Sequence, residues 1–250
     1  MAGTTTIFVI NLDRRIDRRK LISKRLAKLG LKWERISAVD GNDPDLVDKV
    51  DWRKHRYYTQ LLPPQKGAIG CYFSHRSVWE RIVKDNIEQA LVLEDDVAPT
   101  ADWDPAILNL DLASLGLESL RLDQSRHLGP MPMSKYFEIP VGRWLAKNIN
   151  SWGAGAHLIT RAGAKKCLQP EKMWTMADDY FMMNRMLNLK TAALTPALWW
   201  HPEETVSDVA MPVNYYAGSS QMRKTFSFAI TSLLRERERL RFQFTAHPTT

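Results

Sequence analysis

The sequence predicts an α/β fold, with one open sheet flanked by helices. Short β-branched apolar runs alternate with segments of helical periodicity, and Gly or Asp-Asn punctuation falls where one type gives way to the other. Three consecutive acids, Glu94, Asp95 and Asp96, also follow directly on the apolar run QALVL. That is where an open α/β sheet, at the carboxyl ends of its strands, holds its ligands.

TTIFVINL (5–12) is short and β-branched and reads as a buried strand. Arg18 to Leu29 carries Leu21, Ile22, Leu26 and Leu29 on one helical face, with Gly30 as its stop. KWERISAVDG (32–41) reads as a second strand ending in a turn, and the polar segment 43–64 as an excursion. From Gly67 to Lys84, residues Ile69, Tyr72, Phe73, Trp79 and Val83 recur at helical spacing. Ala90 to Leu93 is the expected central strand, and 119–123, 153–160 and 191–200 supply further strands. Helices are expected over 161–168 and 178–189, and the Pro- and Met-rich stretch 127–140 reads as loop.

A chain of 250 residues, 44% hydrophobic and with nine Trp, can bury a full core. Its division is expected to be one domain over 1–218, followed by a basic helix and tail over 219–250. Lys and Arg outnumber Asp and Glu by 35 to 28, a balance that favours anionic partners such as nucleotides, phosphate-bearing lipids or nucleic acid. Cys71 and Cys167 are too few for a disulfide framework, so a reducing compartment is expected. With no signal-peptide pattern at the start and no stretch near the ~20 apolar residues of a spanning helix, the expectation is a soluble, cytoplasmic protein.

If the chain stays extended past QALVL, Glu94 and Asp96 point to one side and Asp95 to the other. Two hard oxygen ligands would then face Mg²⁺ or Mn²⁺, or the same carboxylates could cap the next turn. NLDRRIDRR (11–19) sets Arg14, Arg15, Arg18 and Arg19 just after the first strand. Guanidinium forks there suit phosphate oxygens, and a solvated helix start capped by Asp13 or Asp17 is the other reading. Trp144, Trp152, Trp174, Trp199 and Trp200 are either core or an acceptor-sugar platform.

NLDRRIDRR (11–19), ERISAVDG (34–41), GAIGCYFSHRSVW (67–79), ALVLEDDV (90–97) and GAHLITRAGAKKCL (155–168) together resemble glycosyltransferase family 25, over residues 5–208. The resemblance implies a GT-A-like nucleotide-binding sheet, a bound Mn²⁺ or Mg²⁺ and a UDP-sugar donor, commonly UDP-galactose. It implies a glycan or glycolipid acceptor such as lipooligosaccharide or lipopolysaccharide. Carried over by residue, it places Asn11, Arg14, Ser74, His75, Glu94 and Asp95 on the donor side. Glu94 and Asp96 become the metal element, with His201 as a further candidate ligand or else a loop histidine beside Trp199 and Trp200. Asp178, with Asp179 next to it, stands where the family has a single Asp, the candidate base of an inverting displacement.

Two other classes bear weighing. A nucleic-acid-binding module would use the net charge, but no aromatic stacking platform is interleaved with the basic residues, so no nucleic-acid partner is expected. A catalytically silent relative serving adhesion would be expected to lose the acids, which this chain keeps. RKTFSFAITSLLRERERLRFQF (223–244) reads as an amphipathic basic helix, either docked on an anionic membrane or paired internally through Glu236 and Glu238.

Overall fold

Thr6, Ile7, Val9 and Ile10 are β-branched and suit a pleated, buried strand. They form β1 (Thr6–Asn11), buried throughout after its first residue. The structure, a computed structural model, describes residues 5–59, 66–123, 136–139, 143–147, 153–178, 183 and 186–202. In chain order β1 is followed by α1 (Ile16–Lys28), β2 (Glu34–Ser37), α2 (Trp52–Thr59), α3 (Lys66–Lys84), β3 (Gln89–Glu94) and β4 (Ala98–Pro99). Then come β5 (Ser119–Arg121), β6 (Tyr136–Ile139), β7 (Arg143–Lys147), β8 (Ala156–Thr160), α4 (Arg161–Cys167), β9 (Thr191–Thr195) and β10 (Trp199–Trp200).

Eight strands make one mixed sheet in the order β2-β1-β3-β8-β5-β9-β7-β6, the open α/β arrangement expected. β1 runs parallel to β2 and β3, and β5 parallel to β9. β8 lies antiparallel between β3 and β5. The carboxyl ends of β1, β3, β5 and β9 therefore open on one edge, together with the amino end of β8.

Period-two alternation divides the strand residues between two apolar layers. Ile7, Val9, Leu91 and Leu93 pack with Ile22 and Leu26 of α1 and with Ile107 and Leu112. Phe8, Ile10, Ala90 and Val92 pack with Ile69, Tyr72, Val78, Trp79 and Ile82 of α3 and with Ala164 and Cys167 of α4. Each fully buried Leu or Ile of these layers contributes on the order of 1.5–3 kcal/mol.

The predicted elements need five corrections. Leu21 is 38% exposed, so the buried stripe of α1 is Arg18, Ile22 and Leu26 at four-residue spacing. Neither Asp13 nor Asp17 caps that helix, because its N-cap is Arg15 and makes no side-chain cap. The expected loop 127–140 ends in strand β6, whose YFEI run pairs with β7. The expected strand 191–200 breaks at Pro196, which lacks an N–H for the ladder. Its second half, β10, instead pairs with β4 as a separate two-stranded ribbon. The excursion 43–64 carries a 3-10 turn, Pro44–Lys49, capped by the Asp43 side chain, and then α2.

Half of the helix expected over 178–189, the boundary at 218 and the C-terminal helix lie outside the described residues. No helix among the described residues is long and apolar enough to cross a membrane.

His157 sits on β8 opposite Val92 of β3 and Arg121 of β5, is 2% exposed and stacks at 5.5 Å on His75. Its Nδ1 lies 3.2 Å from the Ala154 carbonyl, which takes the proton of a neutral ring. Burial, with the neighbouring His75 adding to it, lowers its pKa to about 3. The unfolded chain, titrating near ~6.5, binds a proton that the folded chain refuses between that pH and about 3. Stability conferred by His157 is therefore whole above about pH 6.5 and falls as acid is added, by about 2 kcal/mol at pH ~5. Urea midpoints measured from pH 7 to 5 should show that slope in the wild type and a shallower one in His157→Gln.

Candidate active site

At the sheet edge the three acids part company. β3 ends at Glu94, which donates its N–H to the Gly155 carbonyl at 2.8 Å, and the next two residues turn rather than continue extended. Glu94, Asp95 and Asp96 consequently face three different sets of partners, not two sides of a strand.

Asp95 is 6% exposed and accepts from Asn11 Nδ2 at 2.7 Å and from Arg18 Nη1 at 3.1 Å. Burial raises its pKa, and the amide and guanidinium oppose that rise. Asn11 is fully engaged: it also donates to the Arg15 carbonyl at 3.0 Å and accepts from Arg35 Nε at 3.0 Å. Arg18, four residues before Ile22 on the apolar stripe of α1, is 7% exposed. Asn11, Arg18 and Asp95 thus knit β1, α1 and the end of β3 together.

Asp96 turns towards His201. The imidazole stands between two carboxylates, Nδ1 at 3.3 Å from Asp96 and Nε2 at 3.4 Å from Asp123, a buried residue just past β5. Burial works against its charge, but Asp123 and Asp96 outweigh burial and raise the pKa to about 10. Both ring nitrogens of His201 thus face carboxylates, Asp96 on one side and Asp123 on the other. Its seat depends on Gly155, where a Cβ would meet His201 Nε2 at 2.5 Å and Val97 Cγ1 at 2.9 Å.

Glu94 meets α3. His75 Nε2 lies 3.0 Å from Glu94 Oε1, and the Cys71 thiol donates to the same oxygen at 3.6 Å. Burial raises the thiol pKa well above its usual range, and the charges of Glu94, Asp178 and Asp96 add to the rise. Asp178 therefore acts on this site across space, in the turn that follows the α4 region. Asp179 lies outside the described residues.

Ser74 serves the framework, accepting from the Val39 N–H at 2.8 Å and donating to the Gly70 carbonyl at 2.6 Å. Gly70 permits that approach, since a Cβ there would stand 2.7 Å from Gly41 N and from the Val39 carbonyl. Arg14, half exposed, pairs with Asp40.

A cavity of ≈ 270 Å³ joins these parts, lined among others by Asn11, Arg14, Lys66, His75, Glu94 and Asp96. Of the tryptophans weighed, Trp199 is wholly buried, Trp174 is 3% exposed and packed under Lys54, and Trp200 is 42% exposed beside His201. The side chains of Trp144 and Trp152 are outside the described set. Reading the sequence alone missed Cys71, Asp123 and Gly155. Cys71 had a signal, lying one helical turn before His75, but nothing in sequence links Asp123 to His201 across 78 positions.

The chain is similar to known proteins. The family model described as "Glycosyltransferase family 25 (LPS biosynthesis protein)" matches residues 4–182. A "Glycosyltransferase 25 family member" of Anopheles gambiae is 39% identical over 197 residues, 70% of this chain and 30% of that protein. "Procollagen galactosyltransferase 2" of Homo sapiens is 29% identical over 176 residues, 66% of this chain and 27% of that protein. A "Probable inactive glycosyltransferase 25 family member 3" of Bos taurus is 26% identical over 243 residues, 88% of this chain and 38% of that protein. The chain thus spans about a third of the length of such relatives.

Removing one partner of the buried pair strands the other's charge. Arg18→Met is expected to cost about 3–5 kcal/mol in denaturant unfolding, whereas Arg14→Ala, from an exposed pair, should cost under about 1 kcal/mol. Gly155→Ala overpacks the His201 seat and is expected to cost about 1–3 kcal/mol. That cost should shrink when the same change is made in His201→Ala, as measured by a double-mutant cycle, because the colliding ring is gone.

Proposed function

The chain belongs to glycosyltransferase family 25, and we propose that it transfers a hexose, galactose in the first instance, from a UDP-sugar to a hydroxyl of a glycan acceptor. Lipopolysaccharide or lipooligosaccharide is the acceptor class favoured, because the matching family is described as one of LPS biosynthesis. The galactosyl assignment draws on relatives named procollagen galactosyltransferases. The observation that carries the proposal is the convergence of Glu94, Asp96 and the basic groups Arg14 and Lys66 on one cavity at the carboxyl edge of the sheet.

A divalent cation fits Glu94. Its carboxylate offers a hard oxygen at the cavity wall, with an imidazole and a thiol close enough for all three ligand atoms to lie within 4.8 Å of one another. Mn²⁺ or Mg²⁺ bound there would neutralise the charge of a departing diphosphate. Asp96 lines the same cavity with His201 beside it, and the two complete the metal element proposed with Glu94.

The rest falls to side chains. Arg14 is held to Asp40 only by an exposed pair, and such pairs are weak enough for the guanidinium to turn to phosphate oxygens. Asp178 takes the proton of the acceptor hydroxyl as that oxygen bonds to the anomeric carbon. The carbon–oxygen bond to UDP breaks in the same displacement, UDP leaving with the bonding pair, so the anomeric configuration inverts. The basic segment 223–244 would bring the enzyme to an anionic membrane on the cytoplasmic side, where lipid-linked acceptors lie.

UDP release from a panel of UDP-sugars, with and without Mn²⁺, tests the proposal. UDP-galactose should turn over fastest, and chelator or Glu94→Ala should abolish turnover without unfolding the chain. Asp178→Asn should slow transfer by about 10²-fold or more with little change in donor affinity. Full activity in chelator, or a product that keeps the donor's configuration, contradicts the mechanism. Absence of turnover with every donor would assign the chain to the silent members.

A further inference from the structure

We propose that Asp123 is a positioning residue for this site: it holds the His201 ring so that Nδ1 faces Asp96 and the cavity, and through that ring it sets how tightly the site takes a divalent cation. The proposal rests on the reading of Asp96 and His201 as part of the metal element, and it adds a residue that touches neither cavity nor substrate.

Backbone pairing brings the two residues together. The Leu122 carbonyl accepts the N–H groups of Leu198 and Trp199 at 2.8 and 3.1 Å, and Asp123 bridges to Trp199 in parallel register. Asp123 therefore lies beside the segment that carries His201. A carboxylate can only accept, so His201 Nε2–H donates to Asp123 Oδ2, at 3.4 Å. On the other side of the ring, Nδ1 lies 3.3 Å from Asp96 Oδ1. Asp96 lines the cavity and Asp123 does not, so Asp123 reaches the site only through the imidazole.

Two observations set this contact apart from an incidental ion pair. The Asp123 side chain is fully buried, and its bond to His201 is the one hydrogen bond it makes among the described residues. Arg121 Nε stands 3.4 Å from Oδ1 but donates to the Asp123 carbonyl at 3.0 Å, which leaves Oδ1 buried without a hydrogen-bond partner. The backbone before β8 is also shaped around the pair. A Cβ on Gly153 would stand 3.2 Å from Asp123 Oδ2, and one on Gly155 would stand 2.5 Å from His201 Nε2. Gly153 moreover takes φ +133°, which side-chain-bearing residues rarely adopt. Fastening the 198–202 segment to β5 does not require the pair, because the two bonds to the Leu122 carbonyl already do so.

An imidazole has two distinct nitrogens, and the partner of one decides what the other offers. With Nε2–H given to Asp123, the Nδ1 side is left to Asp96 and to a cation held with it. An outer carboxylate of this kind fixes the tautomer and the ring orientation of a ligating histidine, and its loss typically costs about 10–100-fold in metal affinity. Asparagine at 123 can turn an amide N–H to Nε2, which moves the ring proton to Nδ1, towards Asp96.

Mn²⁺ alone is the probe, with the free ion counted by electron paramagnetic resonance and no donor or acceptor present. Asp123→Asn should weaken Mn²⁺ binding at least about tenfold. The same change made in His201→Ala should alter the affinity less than about twofold, because the ring through which Asp123 acts is gone. As a second measurement on the wild-type chain, ¹⁵N-labelled histidine should show a coupling between Mn²⁺ and an imidazole nitrogen that His201→Ala removes and His157→Gln keeps. Mn²⁺ affinity unchanged by Asp123→Asn, an equal loss in the His201→Ala background, or no nitrogen coupling in the wild type overturns the proposal. Metal binding is read without sugar, so an affinity that depends on Asp123 without any transfer refutes the proposed reaction and leaves the role of Asp123 standing. Transfer with an affinity indifferent to Asp123 does the reverse.

Discussion

The buried ion pair between Arg18 and Asp95 is the constraint on which the sheet edge depends. Two charges, 7% and 6% exposed, are tolerable there only because each has the other and Asn11 completes the carboxylate's bonding. The pair fixes the start of α1 against the end of β3, and Asn11 fixes both to the end of β1. Such a network adds little net stability over an apolar substitute, and its effect lies in geometry. With Asp95 held inward, Glu94 and Asp96 must leave the strand in other directions, and the separate environments of the three acids follow.

Once separated, the acids carry different net charge. Asp95 is balanced by Arg18, and Asp96 shares the His201 cation with Asp123, itself 3.4 Å from Arg121. Around Asp96 and Asp123 two cations therefore face two carboxylates. Glu94 instead meets an imidazole and a thiol. Basic residues at the same cavity, Arg14 and Lys66, set positive charge beside these acids.

Much of this fold was legible in sequence because the signals were local. The runs IFVI and ALVL gave the two central strands their alternation, and Ile69, Tyr72 and Trp79 gave α3 its buried face. The acids were rightly placed at a strand end, since the position depends only on where QALVL stops. What could not be read was set by distant partners. Leu21 and Ile22 are equally apolar, and the choice of which to bury was made by Arg18, whose partner lies 77 residues away. His201 reads as a candidate metal ligand by residue type, and its neighbours Asp123 and Gly155 are announced by no spacing. The strand at 136–139 was hidden by the Pro and Met residues before it, because composition over a window outweighs a four-residue run.

Gly155 shows how the two halves of the edge are coupled. Its carbonyl accepts the Glu94 N–H and so sets the point where β3 stops, while its missing Cβ makes room for the His201 ring. One backbone position thereby sets where Glu94 leaves the strand and seats the imidazole that faces its neighbour Asp96.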